Sequence, residues 1–483
     1  MARFNESVVA VPVRNLAGGR AYAEGAELEL LSLALSSFVK DQFYRGADEQ
    51  IAKALELVGQ VRPEFAAKVA LYARDTLGMR SITHVIAAGL APVRAEWKRR
   101  FYSKIVVRLD DMTEILSLLG ADKRGYKIPN AVKRGFADAF ARFGDYQIAK
   151  YKMAGKGVTL VDVVNMVHPK PVEKNAAGLK GLIAGTLRSF DTWESDVSAA
   201  GQEEDATTAT AQAWASLVRE RKIGQFALLR NLRNIATKAP DVLDEALALL
   251  VEPERIATSR IMPFRYYTAL VSCQMEAWAG ARRIIAALGT CVDMAMANVP
   301  KLAGKALVVV DRSGSMGAGP NSPLAKAALF AAAVLRTNQD AELLMFSDRA
   351  LRYAPVSDRV LPIMAEIMSK QLTGGTNFNV IFEGNNKPYD RIIILSDMQG
   401  WMAPKDGYFN LSGAPTKAFA DYRKRTGADP FIYSWDLAGY GTLMFPERRV
   451  FALAGFSDKM FDIMGLLETD REALIHRIEA IEL

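Results

Sequence analysis

Five oxygen-bearing side chains in this sequence are spaced to hold a divalent metal. Asp311, Ser313 and Ser315 alternate through Asp311-Arg312-Ser313-Gly314-Ser315, directly after the apolar run Ala306-Leu307-Val308-Val309-Val310. A buried strand ending this way presents one carboxylate and two hydroxyls from a single turn. All are hard donors, the chemistry that suits Mg²⁺, which takes octahedral oxygen coordination and keeps several waters. Two further oxygen sources follow in order. Thr376 lies in Gly374-Gly375-Thr376-Asn377-Phe378, and Asp397 ends a second apolar run, Ile392-Ile393-Ile394-Leu395-Ser396. Alone, Asp-x-Ser-x-Ser is also an ordinary strand-ending turn whose Asp and Ser satisfy their own backbone. The ordered set of three segments is what points to a metal.

Catalysis by such a set is a poor fit. Metal-dependent nucleases and phosphatases usually use two metals about 4 Å apart, or a general base with a carboxylate-rich cluster. Two carboxylates with three hydroxyls make instead an electrophilic single-metal site able to capture an acidic ligand. The chain has three histidines, too few for a convincing Ser-His-Asp arrangement, and no Gly-x-x-x-x-Gly-Lys-[Ser/Thr] phosphate loop. No catalytic residue is assigned, and the protein is expected not to be an enzyme.

A second chemistry is carried by charge. The formal net charge is +7, and it is not spread evenly. Residues 301–483 hold 21 Lys+Arg and 21 Asp+Glu, so the excess lies before them. Residues 121–190 alone contain 13 Lys+Arg against 5 Asp+Glu, interleaved with Tyr126, Phe136, Phe140, Phe143, Tyr146 and Tyr151. A basic region with aromatics between its charges suits a polyanion. The plainer reading is a solvated helix face with its aromatics in the core.

The elements needed to position these residues differ between the two parts of the chain. Before residue 300 the periodicity is almost entirely helical, in short amphipathic runs such as Ile51–Val58, a helix opened by Pro63, Ile82–Leu90, Val132–Phe143, Leu160–Val167 and Arg282–Met296. Loop signals such as Pro129-Asn130 and His168-Pro169-Lys170-Pro171 separate them. Many helices of ten to fifteen residues joined by short turns predict a helical-repeat superhelix. After Pro300, apolar strands at 306–310, 343–346, 392–395, 431–435 and 450–453 alternate with helical patterns at 324–335, 360–367 and 459–481. This predicts a mostly parallel sheet covered on both faces. In such sheets ligands sit at the carboxyl ends of strands, where Asp311 and Asp397 fall.

Composition bounds the rest. At 483 residues the chain is long enough for two or three domains. It offers no run of roughly 18 apolar residues to span a bilayer, and its first residues lack the apolar core of a secretory signal. Two cysteines, Cys273 and Cys291, make a disulfide framework unlikely and a Cys/His zinc site improbable. A cytoplasmic protein is expected.

The aspartates at two strand ends, with a Gly-Gly-Thr loop between them, resemble the metal-ion-dependent adhesion site of von Willebrand factor A domains. Asp311, Ser313, Ser315, Thr376 and Asp397 all match it. The helical part resembles the TROVE module of the Ro ribonucleoprotein autoantigen family, in its bacterial type. The strings that carry this are Asn15-Leu16-Ala17-Gly18-Gly19, Phe43-Tyr44-Arg45, Arg80-Ser81-Ile82-Thr83-His84-Val85, Lys150-Tyr151-Lys152 with His168-Pro169-Lys170-Pro171, Ala227-Leu228-Leu229-Arg230-Asn231-Leu232-Arg233-Asn234 and Met262-Pro263-Phe264-Arg265.

The resemblance implies a multidomain protein in which a ring of HEAT-like repeats, residues 1–300, is closed by an α/β A-type domain, residues 301–483, as a monomer. It implies binding of small structured Y-like RNA on the outer basic surface and of single-stranded 3′ ends of misfolded RNA in a central hole. A 3′-to-5′ exoribonuclease is an implied partner in RNA quality control or decay. Lys150 and His168 match positions associated with RNA on the outer ring, Lys150 as a phosphate partner and His168 as a hydrogen-bonding or stacking group. Lys152, Lys170, Lys133 and Arg134 are added from charge. Where the family often has a further basic residue this sequence has Ala154, with Lys156 nearby. Arg80, Ser81 and His84 fit either an RNA-facing surface or helix packing, and Arg230, Arg233 and Arg265 fit internal ion pairs equally well. The alternative function is a metal-dependent protein-binding scaffold that uses the A-type domain.

Overall fold

The computed structural model of the chain describes residues 12–14, 20–23, 26–36, 47–120, 127–152, 157–187, 197, 200–201, 205–274, 280–372, 374–400, 415–438, 442–444, 449–454, 461, 464–465, 468 and 473–483. The chain divides into two compact units, one formed by 1–190, 435–459 and 463–483, the other by 191–434 and 460–462.

Among its described residues the first unit contains the helices α1 (Ala26–Ser36), α2 (Ala47–Gln60), α3 (Pro63–Asp75), α4 (Ser81–Gly89), α5 (Lys98–Lys104), α6 (Leu109–Leu118), α7 (Asn130–Phe140), α8 (Asp145–Lys150), α9 (Leu160–Val167) and α10 (Ala176–Ala184). Local chemistry sets several of their ends. Pro63 opens α3 at a position where its missing N–H costs nothing. Thr159 and Asp162 cap α9 reciprocally, Thr159 N donating to Asp162 Oδ2 at 2.8 Å and Asp162 N to Thr159 Oγ at 3.3 Å. Phe65, Phe101, Tyr102, Phe136 and Phe140 are fully buried in this unit. Gly135 lets α7 lie against α5, since a β-carbon there would stand 2.5 Å from the Arg99 carbonyl. A last helix, α20 (Ala473–Glu479), packs on α3, and Glu479 pairs with Arg62 at 2.6 Å.

Sequence periodicity gave no sign of two short antiparallel strands at the start of this unit, β1 (Pro12–Arg14) and β2 (Arg20–Ala23). A third strand, β8 (Thr442–Leu443), pairs with β2 in the order β1-β2-β8. Much of the terminal helix expected over 459–481 lies outside the described residues, as do Ala154 and Lys156.

The second unit begins with helices α11 (Ala206–Arg219), α12 (Gln225–Lys238), α13 (Leu243–Leu250), α14 (Pro253–Ser259), α15 (Pro263–Gln274) and α16 (Ala281–Met294). Its sheet has β3 (Ala306–Asp311) at the centre, with β4 (Ala341–Phe346) and β6 (Arg391–Ser396) parallel to it on either side. A short strand, β5 (Ala350–Tyr353), returns antiparallel on β4, and β7 (Phe431–Asp436) follows β6, giving the order β5-β4-β3-β6-β7. Every residue of β3 and β6 is buried, which is why both read as continuous apolar runs rather than alternations.

Helix α17 (Pro323–Thr337) starts at Ser322, whose Oγ accepts from Ala325 N at 3.1 Å, with Pro323 in the first turn. Its buried alanines let it sit close on β3 and β4. Helix α18 (Val360–Ser369) is capped by Asp293 at the end of α16, which accepts from Val360 N at 2.8 Å and Arg359 Nε at 2.9 Å. Helix α19 (Thr416–Thr426) completes the set.

Candidate metal centre and nucleic-acid interface

Parallel pairing puts the carboxyl ends of β4, β3 and β6 side by side at one edge of the sheet, and the five predicted metal residues sit there. Asp311 is the last residue of β3 and Asp397 the first beyond β6; both are buried. Asp311 Oδ1 accepts from Ser313 N at 2.8 Å and Oδ2 from Ser396 Oγ at 2.5 Å. The Ser313 and Ser315 hydroxyls are 3.3 Å apart. Thr376 is buried in a loop tied to the end of β4 by Asn377 N donating to Ser347 O at 2.8 Å, and by the Phe346–Phe378 ring contact. Arg312, inside the motif, turns away, its guanidinium donating to the Lys370 and Met368 carbonyls at the end of α18. Its charge is spent on a helix terminus.

This arrangement fits a divalent cation. Asp397 Oδ2 is buried without a hydrogen-bond partner among the described residues, a costly state for a carboxylate oxygen. Burial, with the Asp397 charge beside it, pushes the Asp311 carboxyl up to about 7. Burial likewise raises Asp397, against the opposing effect of the Ser315 hydroxyl. Two carboxylates that resist ionising together lack a positive charge between them. Among the described residues no group of three or more His, Cys, Asp or Glu side chains stands ready for a metal; a cation held here would draw its remaining donors from hydroxyls.

Gly374 controls the Thr376 loop. Its φ is 147°, and a β-carbon there would collide with the Asp348 carboxylate. Gly374→Ala is therefore expected to strain the loop by about 1–3 kcal/mol and weaken Mg²⁺-dependent stabilisation, checked by melting with and without Mg²⁺. Full retention of the Mg²⁺ response would show that Thr376 is not a ligand.

The predicted RNA residues all lie in the first unit. Lys150 ends α8, its ammonium 5.8 Å from the Tyr146 ring centroid. Lys152 follows, exposed. On α7, Lys133 is half-buried and Arg134 exposed. His168 closes α9 with φ 49°, its backbone N donating to Val164 O at 2.9 Å while the side chain is exposed, so it both caps a helix and faces solvent. Lys170 is exposed two residues on. Helices α7 to α10 pack on one another, α8 against α10 and α9 against both α7 and α10. Lys133, Arg134, Lys152 and Lys170 form no ion pair with any described residue.

Other basic residues of the region are committed to the fold. Arg142 donates to the Ser103 and Val106 carbonyls, both at 2.6 Å, and Lys174 to the Arg142 carbonyl. Arg80 and His84 take the packing role. Asp111 on α6 is completely buried and accepts from Arg74 Nη2 at 2.8 and 3.0 Å, Arg80 Nε at 3.1 Å and His84 Nε2 at 3.0 Å. Val107 N and Arg108 N add two backbone donors, at 3.0 and 2.8 Å. Burial works to raise this carboxyl, but the His84 and Arg74 interactions outweigh it and hold it far below the usual range. In the second unit, Arg230 stands over the exposed Phe226 ring at 5.8 Å.

Comparison with known proteins identifies one domain of the chain. The TROVE domain model matches residues 30–186. RNA-binding protein RO60 of Deinococcus radiodurans is 24% identical over 516 aligned positions, covering 94% of this chain and 92% of that protein. The chain carries a TROVE domain and is similar to a Ro protein over most of its length. The crystal structure of the Deinococcus radiodurans Ro protein superposes with a TM-score of 0.60 at 18% identity, covering 91% of this chain and 98% of that one, a likeness of fold. Telomerase protein component 1 of Rattus norvegicus is 28% identical over 166 residues, and that of Mus musculus 29% over 136 residues. Those two matches take in 30% and 26% of this chain but only 6% and 5% of the telomerase proteins, so it spans a small part of their length.

The TROVE segment contains all six predicted RNA residues and the Asp111 cluster. The five metal residues lie outside it, in the α/β part.

Proposed function

We propose that this chain is an RNA-binding protein whose TROVE segment takes structured, Y-like RNA on the surface formed by Lys150, Lys152, His168, Lys170, Lys133 and Arg134. The observation that supports this most is the cationic surface on neighbouring helices, four of whose charges have no counter-ion among the described residues. In the same reading the helices form a HEAT-like ring closed by a von Willebrand factor A domain. The ring would also admit single-stranded 3′ ends of misfolded RNA and hand them to a 3′-to-5′ exoribonuclease, as part of RNA quality control or decay in the cytoplasm. The relatives that carry RNA binding or telomerase in their names agree with an RNA partner. The chain itself performs no catalytic step in this reading.

Removing Lys150 and His168 together by alanine is expected to weaken structured-RNA binding roughly tenfold at low salt. It should also reduce the slope of log K against log salt by about one, because Lys150 neutralises phosphate. Single-strand binding should be unchanged. Titration of a stem-loop RNA across salt concentrations checks both; a wild-type chain that ignores structured RNA at low salt overturns the reading.

A second reading rests on the buried Asp397 Oδ2, which has no hydrogen-bond partner among the described residues. We propose that Asp311, Ser313, Ser315, Thr376 and Asp397 hold Mg²⁺, which would supply a Lewis-acidic point able to attract a carboxylate of a protein partner. It complements RNA binding rather than competing with it.

A further inference from the structure

Helix α9 cannot run past Val167. His168 takes the left-handed conformation, and Pro169 neither donates a backbone hydrogen bond nor fits the next helical turn. The chain then alternates, His168 exposed, Pro169 buried, Lys170 exposed. Beside it α10 presents Leu179 and Ile183 one turn apart. Between the two helices lies a groove of about 390 Å³ lined by Val164, Pro169, Pro171, Leu179, Lys180 and Ile183, among others. Ile183 is 58% exposed, an apolar side chain left in water at the rim of an apolar groove.

The charge around this groove selects its occupant. Lys180 lines it, and His168 and Lys170 flank its Pro169, all three exposed; Glu173 is an exposed carboxylate of the same stretch. An apolar floor with cationic flanks fits a flat, weakly polar ring joined on both sides to phosphates. It is a poorer match for an apolar peptide side chain, which brings no negative charge for the lysines. We infer that this groove seats one unpaired nucleobase of the bound RNA, with Lys170 and Lys180 on the flanking phosphates. The inference rests on the RNA-binding reading above and adds to it a site that distinguishes unpaired from paired RNA.

The test compares a stem-loop RNA with a blunt duplex of equal phosphate count, using wild type and Ile183→Asn. That variant changes no charge and alters an exposed position that the fold does not need. Ile183→Asn should bind the stem-loop roughly tenfold more weakly, the scale of one seated base, and the duplex as wild type does. A 2-aminopurine placed in the loop should change fluorescence on binding wild type and not on binding the variant. Equal loss for both RNAs would mean that the groove does not read an unpaired base. An unchanged stem-loop affinity would give the groove to another occupant, a peptide side chain first among them; either result overturns the proposal. If wild type bound neither RNA at low salt, the RNA-binding reading itself would fall, and this inference with it.

Discussion

Asp111→Asn is expected to destabilise the helical unit by on the order of 3–5 kcal/mol, the cost of removing one partner from a buried ion pair. The substitution hardly changes volume, so the effect is electrostatic. Arg74 is itself buried, and its guanidinium makes two hydrogen bonds to Asp111. Without the carboxylate it would be an uncompensated charge in a water-poor interior, while Arg80 and His84 would lose their shared acceptor. Urea unfolding measures this directly. Asp75→Asn, one residue from Arg74 but exposed, serves as the control and should move stability by no more than about 0.5 kcal/mol. The pH dependence has a definite sign. Because the folded carboxyl sits well below its ordinary value of 3.8, its contribution is present above that value and is lost as pH falls below it. The asparagine variant should lack this acid-side loss. A variant as stable as wild type would mean that the cluster is not what fixes α3, α4 and α6.

How much of this could be read from the sequence depended on whether the cause was local. Strands β3 and β6 were legible because burial on both faces forces an unbroken apolar run, and α9 because its apolar residues recur at helical spacing from Leu160 to Val167. The positions of the five residues proposed for a metal were legible for the same reason, each close to the end of such a run or in a glycine loop. Helix α5 was not. Lys98-Arg99-Arg100-Phe101-Tyr102-Ser103-Lys104 buries only Lys98, Phe101 and Tyr102, and Lys98 directs its ammonium to the Ala91 and Val93 carbonyls. Helix α10 hid its period behind Gly178, where a β-carbon would collide with Asp145. Strand β5 is mostly exposed and carries no buried pattern. The Asp111 cluster was missed because its arginines and histidine come from other helices. The one local hint was Asp111 standing three residues after Arg108, in position to accept from its backbone N–H.

The carboxylate pair of the α/β part should make stability depend on pH and Mg²⁺ together. Burial and the Asp397 charge raise the folded carboxyl of Asp311 from 3.8 to about 7. A raised carboxyl binds its proton more tightly folded than unfolded, so its stabilising effect is complete below about 3.8 and is lost as pH rises through about 7. In chelator-treated protein, stability should therefore decline by on the order of a few kcal/mol between pH 4 and 8. Mg²⁺ held between the two carboxylates would compete with that proton. It should do little at pH 5, where Asp311 is protonated, and raise Tm most above pH 7, where two buried negative charges otherwise face each other. Asp311→Asn removes one of those charges without emptying the site. It should flatten the decline in chelator, making the variant more stable than wild type at pH 8, and abolish the response to Mg²⁺. Thermal melts at several pH values, each with Mg²⁺ and with chelator, separate the two effects. If Mg²⁺ raised the Tm of Asp311→Asn as much as that of wild type, the cation would be binding elsewhere. If the decline in chelator persisted in the variant, its source would lie outside this pair.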